Sequence, residues 1–246
     1  MLSSRKITDK KVLKLGDILV DVIYKDIKNI HLSVHPPSGR VRISSPGRIP
    51  IDTLRVFAIS KLSWIKKQQQ KLKSQEREAP RDYISRESHF YLGKRYLLEV
   101  AEVKTTAKIE LKHDSIEMFV KPESSLEKRK SLLNEWYRER LKEIIPDMIA
   151  KWEKTLKVTV DEFGIKQMKT RWGTCNTKAK RIWINLELAK KPLHCIEYIV
   201  VHEMVHLLER KHNERFIAFM DEYLPQWKQY KKELNRFPVS HSEWEY

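Results

Sequence analysis

The first part of the chain is built from short stretches in which hydrophobic and polar residues alternate. They cover residues 18–24, 30–34, 41–43, 90–92, 96–100, 109–111 and 116–120. Alternation with a period of two residues is typical of β-strands, and turn-forming residues such as Pro36, Pro37 and Gly93 separate neighbouring stretches. Between the two groups, hydrophobic residues from Leu54 to Ile65 follow helical spacing, which predicts one helix near 50–77.

After a break at 122–125, the hydrophobic pattern becomes mainly helical. Residues 126–156 form a long amphipathic stretch that contains Pro146. This proline should kink the helix or divide it into two, because it lacks an amide donor and its ring clashes with the preceding turn. Further along, the pattern predicts strands over 165–170 and 181–188, a helix over 194–208 and a last helix over 213–234.

These elements predict an α+β fold with two domains. Residues 1–124 would form a mainly β N-terminal domain that contains the helix near 50–77. Residues 125–246 would form a second domain of helices and a small sheet. A change from strand patterning to helical patterning at one point of the chain is typical of such an arrangement.

Composition places the chain among ordinary globular proteins. Of its 246 residues 41% are hydrophobic, with only six glycines and ten prolines, which is enough for a packed core. Neither a secretory signal nor an uncharged apolar run long enough to span a membrane is present. The two cysteines, Cys175 and Cys195, form no CxxC pair, so no thiolate metal site is predicted. We expect a cytoplasmic protein that does not bind membranes.

The charge balance favours contact with polyanions. Lysine and arginine number 49 against 33 acidic residues, which gives a formal net charge of +16. Such an excess makes nucleic acid a possible partner through a basic surface. The alternative interpretation is a solvated lysine-rich surface with no specific partner, and charge alone does not identify a function.

One segment near the C-terminus carries the spacing of a metal site. It contains His202, Glu203 and His206 in an HExxH arrangement with uncharged residues around them. Residues four apart lie on one face of a helix, so both imidazoles can reach one ion. Glu203 follows the first histidine directly and can address a water molecule on that ion. This pattern is the signature of zinc-dependent peptidases.

A third histidine, His212, follows His206 by six residues. In an unbroken helix this step rotates by about 600°, which would direct His212 away from the other two, so the helix must end first. Zincins with this spacing usually have glycine where Glu209 stands. The turn would then come from Arg210, Lys211 or Asn213, and asparagine adopts a left-handed conformation most readily of these. The alternative is a surface histidine in a basic loop.

Three histidines would leave one position of a tetrahedral zinc ion open, as in catalytic rather than structural sites. We therefore expect one Zn²⁺ per chain. Glu203 would act as the general base that takes a proton from water and passes it to the amine of the cleaved peptide. Carboxylates often orient metal-binding histidines, and the acidic residues close enough in sequence are Glu197, Glu209, Glu214 and Asp221.

Several motifs give the chain a resemblance to a known family. They are the TRWGTC segment at 170–175 with the strand residues 184–186, and the segment 198–206 followed by His212 and Phe216. Weaker similarity occurs around Trp64, at 91–96 and at 136–138. On these residues the chain resembles the YgjP-like zinc metallopeptidases, which are related to the SprT and WLM minimal gluzincins. The resemblance implies a zincin-like catalytic domain within 125–246, with His202, His206 and His212 as ligands and Glu203 as the catalytic residue.

The resemblance also implies where a substrate would bind. In minimal gluzincins the strand before the active-site helix lines the cleft and pairs with the substrate backbone. Residues 181–186 are the candidate edge strand, which makes Trp183 and Asn185 candidate substrate-binding residues together with Arg171. For Arg171 a purely structural role, in which it fixes a turn, remains an equal alternative.

The leading hypothesis is a zinc-dependent metallopeptidase that acts on proteins or peptides. A second hypothesis is a basic, nucleic-acid-associated binding protein in which the zinc site is vestigial or structural. A third combines them in a SprT-like protease that acts on DNA-bound proteins, which rests on analogy and net charge alone.

Overall fold

The computed structural model describes residues 7–35, 38–74, 81–168 and 171–236. The described chain has the α+β fold that the sequence predicts, with a β-rich N-terminal part followed by a mainly helical region. It falls into two compact units that divide after residue 77. None of its helices, within the described ranges, is long and apolar enough to cross a membrane.

The first unit is a four-stranded sheet followed by two helices. Its strands, in the spatial order β1-β2-β4-β3, are β1 (Ile7–Leu15), β2 (Ile18–Lys25), β3 (His31–His35) and β4 (Arg40–Ser45). The helices are α1 (Ile51–Ser60) and α2 (Leu62–Ser74). The predicted single helix is interrupted at Lys61, whose amide donates to Ala58 O at 3.1 Å and closes α1. Residues 75–77 of that prediction lie outside the described ranges.

The second unit begins with a sheet of the same connectivity. Its strands, in the order β5-β6-β8-β7, are β5 (Ser88–Tyr91), β6 (Lys94–Glu102), β7 (Lys108–Leu111) and β8 (Ser115–Val120). The long helix α3 (Leu126–Leu156) follows it without interruption. The predicted division of this helix at Pro146 is therefore wrong, and buried residues on both sides of the proline, such as Leu141 and Ile149, belong to the same core.

A small third sheet and three helices complete the second unit. The sheet has the order β10-β11-β9, with β9 (Glu162–Lys166), β10 (Gly173–Asn176) and β11 (Arg181–Asn185). The helices are α4 (Leu193–Val205), α5 (Glu214–Tyr223) and α6 (Trp227–Leu234). A 3-10 helix, Leu186–Lys190, ends the predicted strand early because the Asn185 side chain accepts a hydrogen bond from Glu187 N.

The predicted helix over 213–234 is two helices, α5 and α6. Leu224, which separates them, has φ −138° and ψ 69°. It precedes Pro225, and the proline ring disfavours the helical conformation in the residue before it. The predicted strand over 165–170 begins earlier, at Glu162, and its last two residues lie outside the described ranges.

One hydrophobic core joins most of the second unit. It includes Met118 of β8, Leu141 of α3, Ile184 of β11 and Val201 of α4, all fully buried. A separate core, with Val22, Ile43 and Leu54 among its members, supports the first unit. The predicted domain division between residues 124 and 125 stays a prediction about folding units. In space, β8 and α3 on its two sides contribute to the same core.

Candidate metal centre

Three histidines from α4 and the loop after it converge on one point. The ring centroids of His202, His206 and His212 lie 4.7 to 5.0 Å from one another. One nitrogen from each ring lies within 4.8 Å of the others. The two Nε2 atoms of His202 and His212 are 2.9 Å apart. α4 carries His202 and ends directly before His206, and most of its side chains are buried in the core.

The chain reaches the third histidine without a left-handed residue. α4 ends at Val205, before His212, as the spacing requires. The amides of Leu207 and Leu208 then donate to carbonyls three residues back, both at 2.9 Å, which tightens the turn. The predicted left-handed turn at Asn213 is wrong: its φ is −95°, and its side chain caps α5 by accepting a hydrogen bond from Phe216 N.

The Phe216 ring packs against all three histidine rings. Its side chain is 3% exposed, and its ring centroid lies 5.0, 4.8 and 4.7 Å from those of His202, His206 and His212. Because the ring contacts all three imidazoles, the position of α5 determines how closely they approach one another.

The protonation of His202 and His206 suits metal binding. Burial, together with repulsion from His206 and His212, lowers the pKa of His202 to about 3. Burial also lowers the pKa of His206. The Nδ1 of His206 lies 3.1 Å from the carbonyl oxygen of Glu209, so a proton on Nδ1 would leave the Nε2 lone pair for an ion. A neutral imidazole is the form that binds a metal.

The distances also fit zinc. Nitrogen ligands at about 2.0–2.1 Å from a tetrahedral zinc ion lie about 3.3 Å from each other. The Nε2 atoms of His202 and His212 are 2.9 Å apart, and one nitrogen of each of the three rings lies within 4.8 Å of the others. The three imidazoles therefore form a donor set that a metal ion would complete.

The carboxylates that the sequence offered as supports for the histidines have other partners. Glu197 accepts hydrogen bonds from Trp152 Nε1 and Lys151 Nζ. Asp221 accepts one from Trp227 Nε1. Glu214 begins α5. Of the four candidates only Glu209 contacts a metal-site histidine through a hydrogen bond in the described part of the chain, and it does so with its backbone carbonyl.

Glu203 is buried against the backbone of β10. It is 5% exposed, and burial raises its pKa to about 8, against an opposing effect of the Arg171 guanidinium. A Cβ atom placed on Gly173 would lie 2.7 Å from Cγ and Oε1 of Glu203. Only glycine at this position leaves the carboxyl group its space. The carboxyl group is thus held in one place, with a pKa that permits proton exchange near neutral pH.

The histidines and Glu203 open into a cleft of about 1050 Å³. One part of its lining is residues 171–178, which include β10. The remainder comes from α4, α5, α6 and the loop after α4, including Tyr198, Arg210, Ile217, Trp227 and Lys231.

The structure separates the three residues predicted to bind substrate. Arg171 lines the cleft, whereas Trp183 and Asn185 do not. The predicted edge strand over 181–186 is wrong, because β11 pairs with β9 on one side and β10 on the other. The strand that lines the cleft is β10.

Trp183 and Asn185 contact neighbouring segments of the protein instead. The Trp183 ring lies against Gly164, where a Cβ atom would approach it to 2.3 Å. Asn185 is 4% exposed, and its side-chain amide donates to Met168 O at 2.9 Å and Arg171 O at 2.7 Å. Asn185 therefore stabilises the segment that leads into β10.

Several cleft residues were not found from the sequence. Gly173 lies within the TRWGTC motif, whose first residue, Thr170, is outside the described ranges. The motif marked this segment in the sequence, but it did not indicate that Gly173 packs against Glu203. Lys178 and Lys231 carry no local signal, since their roles depend on which elements become neighbours.

A second group of potential ligands, His194, Cys195 and Glu233, also lies together. His194 Nε2 is 2.8 Å from Glu233 Oε2. Burial raises the pKa of Cys195 to about 12, which keeps the thiol protonated. This arrangement is a hydrogen-bonded pair beside a buried thiol and fits a metal less well than the three histidines.

One comparison with known proteins assigns the chain to a metallopeptidase family. A family model described as the YgjP-like metallopeptidase domain matches residues 28–237. Among solved structures, the chain is similar to the metallopeptidase zymogen of Methanocaldococcus jannaschii jannalysin, with 19% identity and a TM-score of 0.33. That likeness covers 37% of this chain and 92% of the other and is too weak to carry an argument. A comparison with curated proteins gives no significant match.

Proposed function

This chain belongs to the YgjP-like metallopeptidase family, and from that premise we propose a zinc-dependent peptidase with His202, His206 and His212 as ligands. Glu203 is its general base. The observation that carries the proposal is the convergence of three imidazoles beside one buried carboxyl group at the wall of an open cleft. Three ligands from the protein leave a coordination position for substrate or water.

One Zn²⁺ per chain would polarise the scissile carbonyl group and increase the acidity of a water molecule. The protein side chains perform the proton transfers. Glu203 accepts the proton from the attacking water and then donates it to the nitrogen of the leaving amine. Its raised pKa suits both steps, because the carboxyl group can hold the proton and release it again.

The substrate is a protein or peptide in extended conformation. β10 is at the edge of its sheet, and within the described residues no other strand pairs with its outer edge. Its free amides and carbonyls can therefore bind a peptide backbone as an additional strand. The sequence analysis assigned the pairing with substrate to residues 181–186, in β11, and we now assign it to β10.

The two hypotheses that involve nucleic acid rest on the net charge of +16. They are a basic binding protein with a vestigial or structural zinc site and a SprT-like protease for DNA-bound proteins. The buried carboxyl group beside the histidines favours catalysis over the first, since a structural site needs no adjacent base. The SprT-like protease for DNA-bound proteins stays a prediction, as does the cytoplasmic localisation.

The proposal is tested by metal content and by hydrolysis of an unfolded protein substrate such as casein. Elemental mass spectrometry should find about one zinc per chain in the parent and in Glu203→Gln, and sharply less in His212→Ala. His113→Ala, which removes an exposed histidine away from the cleft, is the control and should keep the zinc. Glu203→Gln should lose roughly 10²- to 10⁴-fold in kcat. A Gln variant that cleaved as fast as the parent would exclude Glu203 as the base.

A further inference from the structure

The charged side chains around the cleft have one sign. Apart from Glu203, which is buried, every lining residue that carries a full charge is basic. These residues are Arg171, Lys178, Arg210 and Lys231. All four are exposed, so their charges face the space that a substrate would occupy.

Within the described part of the chain these four cations form no ion pair, although many other basic residues do. The contrast is clear on α6: Lys228 lies 3.0 Å from Asp221, whereas Lys231, one turn later, lines the cleft and lies 5.6 Å from the centroid of the Trp227 ring. An unpaired cation at a binding surface gains most from an anionic ligand.

The positive field reaches the reacting groups. Arg171 and Lys231 line the same cleft as Glu203 and His202. Both cations therefore lie close enough to the hydrolytic centre to interact with side chains next to a scissile bond. In a partly enclosed cleft such interactions are stronger than on an open surface.

The basic residues also lie at both ends of the edge strand. Arg171 precedes β10 by two residues, and Lys178 follows it by two. A peptide strand paired with the four residues of β10 extends about 13 Å. Its two ends therefore come near Arg171 and Lys178. Arg210 and Lys231 add positive charge from the loop after α4 and from α6.

We propose that the cleft selects polypeptide segments in which carboxylate side chains lie on both sides of the scissile bond. The inference rests on the proposed peptidase function and gives its substrate class. An acidic peptide is favoured over a nucleic-acid strand, because β10 offers backbone amides and carbonyls that pair with a peptide backbone. The four cations and the edge strand then bind the same ligand.

The test uses the zinc-loaded enzyme and peptides that differ only in the residues flanking one cleavable bond. One peptide has Asp and Glu there, the second Asn and Gln, the third Lys and Arg. We expect kcat/KM to be at least roughly tenfold higher for the acidic peptide than for the neutral one, and lowest for the basic one. The preference should decrease from about 50 mM to 500 mM salt, because exposed charges are screened.

Charge-reversal variants assign the preference to the cleft. Lys178→Glu and Lys231→Glu should each reduce the ratio of acidic to neutral kcat/KM by roughly tenfold. Lys232→Glu is the matched control, since it makes the same charge change on the same helix but lies outside the cleft lining. It should leave the ratio unchanged.

The outcomes separate the inference from the proposed function. Equal rates for the three peptides, or equal effects of Lys231→Glu and Lys232→Glu, would overturn the acidic preference and leave the peptidase intact. If the zinc-loaded enzyme cleaved none of the peptides and no casein, the peptidase function itself would fail. A single-stranded oligonucleotide that bound through Lys178 and Lys231, without an acidic preference among peptides, would assign the basic rim to nucleic acid instead.

Discussion

At the scale of single residues, Gly173 determines whether Glu203 can occupy its position. A Cβ atom at this residue would lie 2.7 Å from the Glu203 side chain, well inside the contact distance. The Gly173→Ala variant should therefore fold but displace the carboxyl group. A displacement of about 1 Å lowers kcat on the order of 10²-fold, while zinc content should stay unchanged. Steady-state kinetics and elemental analysis measure the two quantities.

The matched control for this variant is Gly47→Ala. No atom lies within 4 Å of the Cβ position at Gly47, so this substitution should leave kcat unaltered. If Gly173→Ala retained full activity, the close packing of β10 on Glu203 would have no catalytic importance.

Asn185 shows how burial can reveal the role of a polar residue. Its amide group donates to two backbone carbonyls, and its Oδ1 accepts from Met168 N and Glu187 N at 3.2 Å. Asn185→Ala would leave these buried groups without partners. We expect a loss of roughly 2–5 kcal/mol in the free energy of unfolding, measured by urea denaturation. A raised KM with unchanged stability would instead support substrate binding by Asn185.

At the scale of secondary-structure elements, the metal site depends on the start of α5. Asn213 caps this helix, and α5 presents Phe216 to the three histidine rings. Asn213→Ala should cost about 1 kcal/mol of helix stability and raise the zinc dissociation constant roughly fivefold. Competition with a chromogenic chelator measures this constant, and Asn213→Asp, which can still cap, should restore it.

Ser125→Ala is the control for the loss of a cap. Ser125 caps α3 by accepting a hydrogen bond from Lys128 N, and it is not part of the cleft lining. This variant should lose similar helix stability without a change in zinc affinity. A similar weakening of zinc binding in both variants would mean that α5 has no specific role.

The turn between β5 and β6 contacts the segment that precedes α4. Leu92 N and Gly93 N donate to the carbonyls of Ala189 and Lys190, at 2.9 and 3.3 Å. Gly93 has φ +82°, and a Cβ atom there would lie 2.7 Å from Pro192, which precedes α4. A hairpin in the sheet thus positions the first residues of the helix that bears the metal-site histidines.

At the scale of the whole molecule, two separate cores determine how zinc removal should act. The histidines lie in the second unit, whose core includes α4, and the first unit has a core of its own. Chelation of zinc should therefore reduce amide protection in the loop after α4 and in α5, but not in β2 and β4. Hydrogen exchange followed by mass spectrometry distinguishes the segments. Loss of protection throughout residues 7–74 would contradict this expectation.

Seven of the eight strands in the two four-stranded sheets, the long α3 region and the convergence of His202, Glu203 and His206 followed from the sequence, whereas β1 was not predicted. These features depend on local periodicity or on the fixed rotation of a helix, which a short segment contains in itself. The requirement that α4 end before His212 followed from the same rotation.

Tertiary structure alone decided which strand forms the edge of the third sheet, that Gly173 packs against Glu203, and that Asn185 is buried. It also brought basic residues from both sides of β10, from the loop after α4 and from α6 around one cleft. The physical reason is that the position of a strand in its sheet, a close contact between two residues and the clustering of charged side chains all depend on contacts between residues distant in sequence. Side chains such as Lys231 and Lys232 are alike in sequence, and only the packing of α6 gives one of them a place in the cleft.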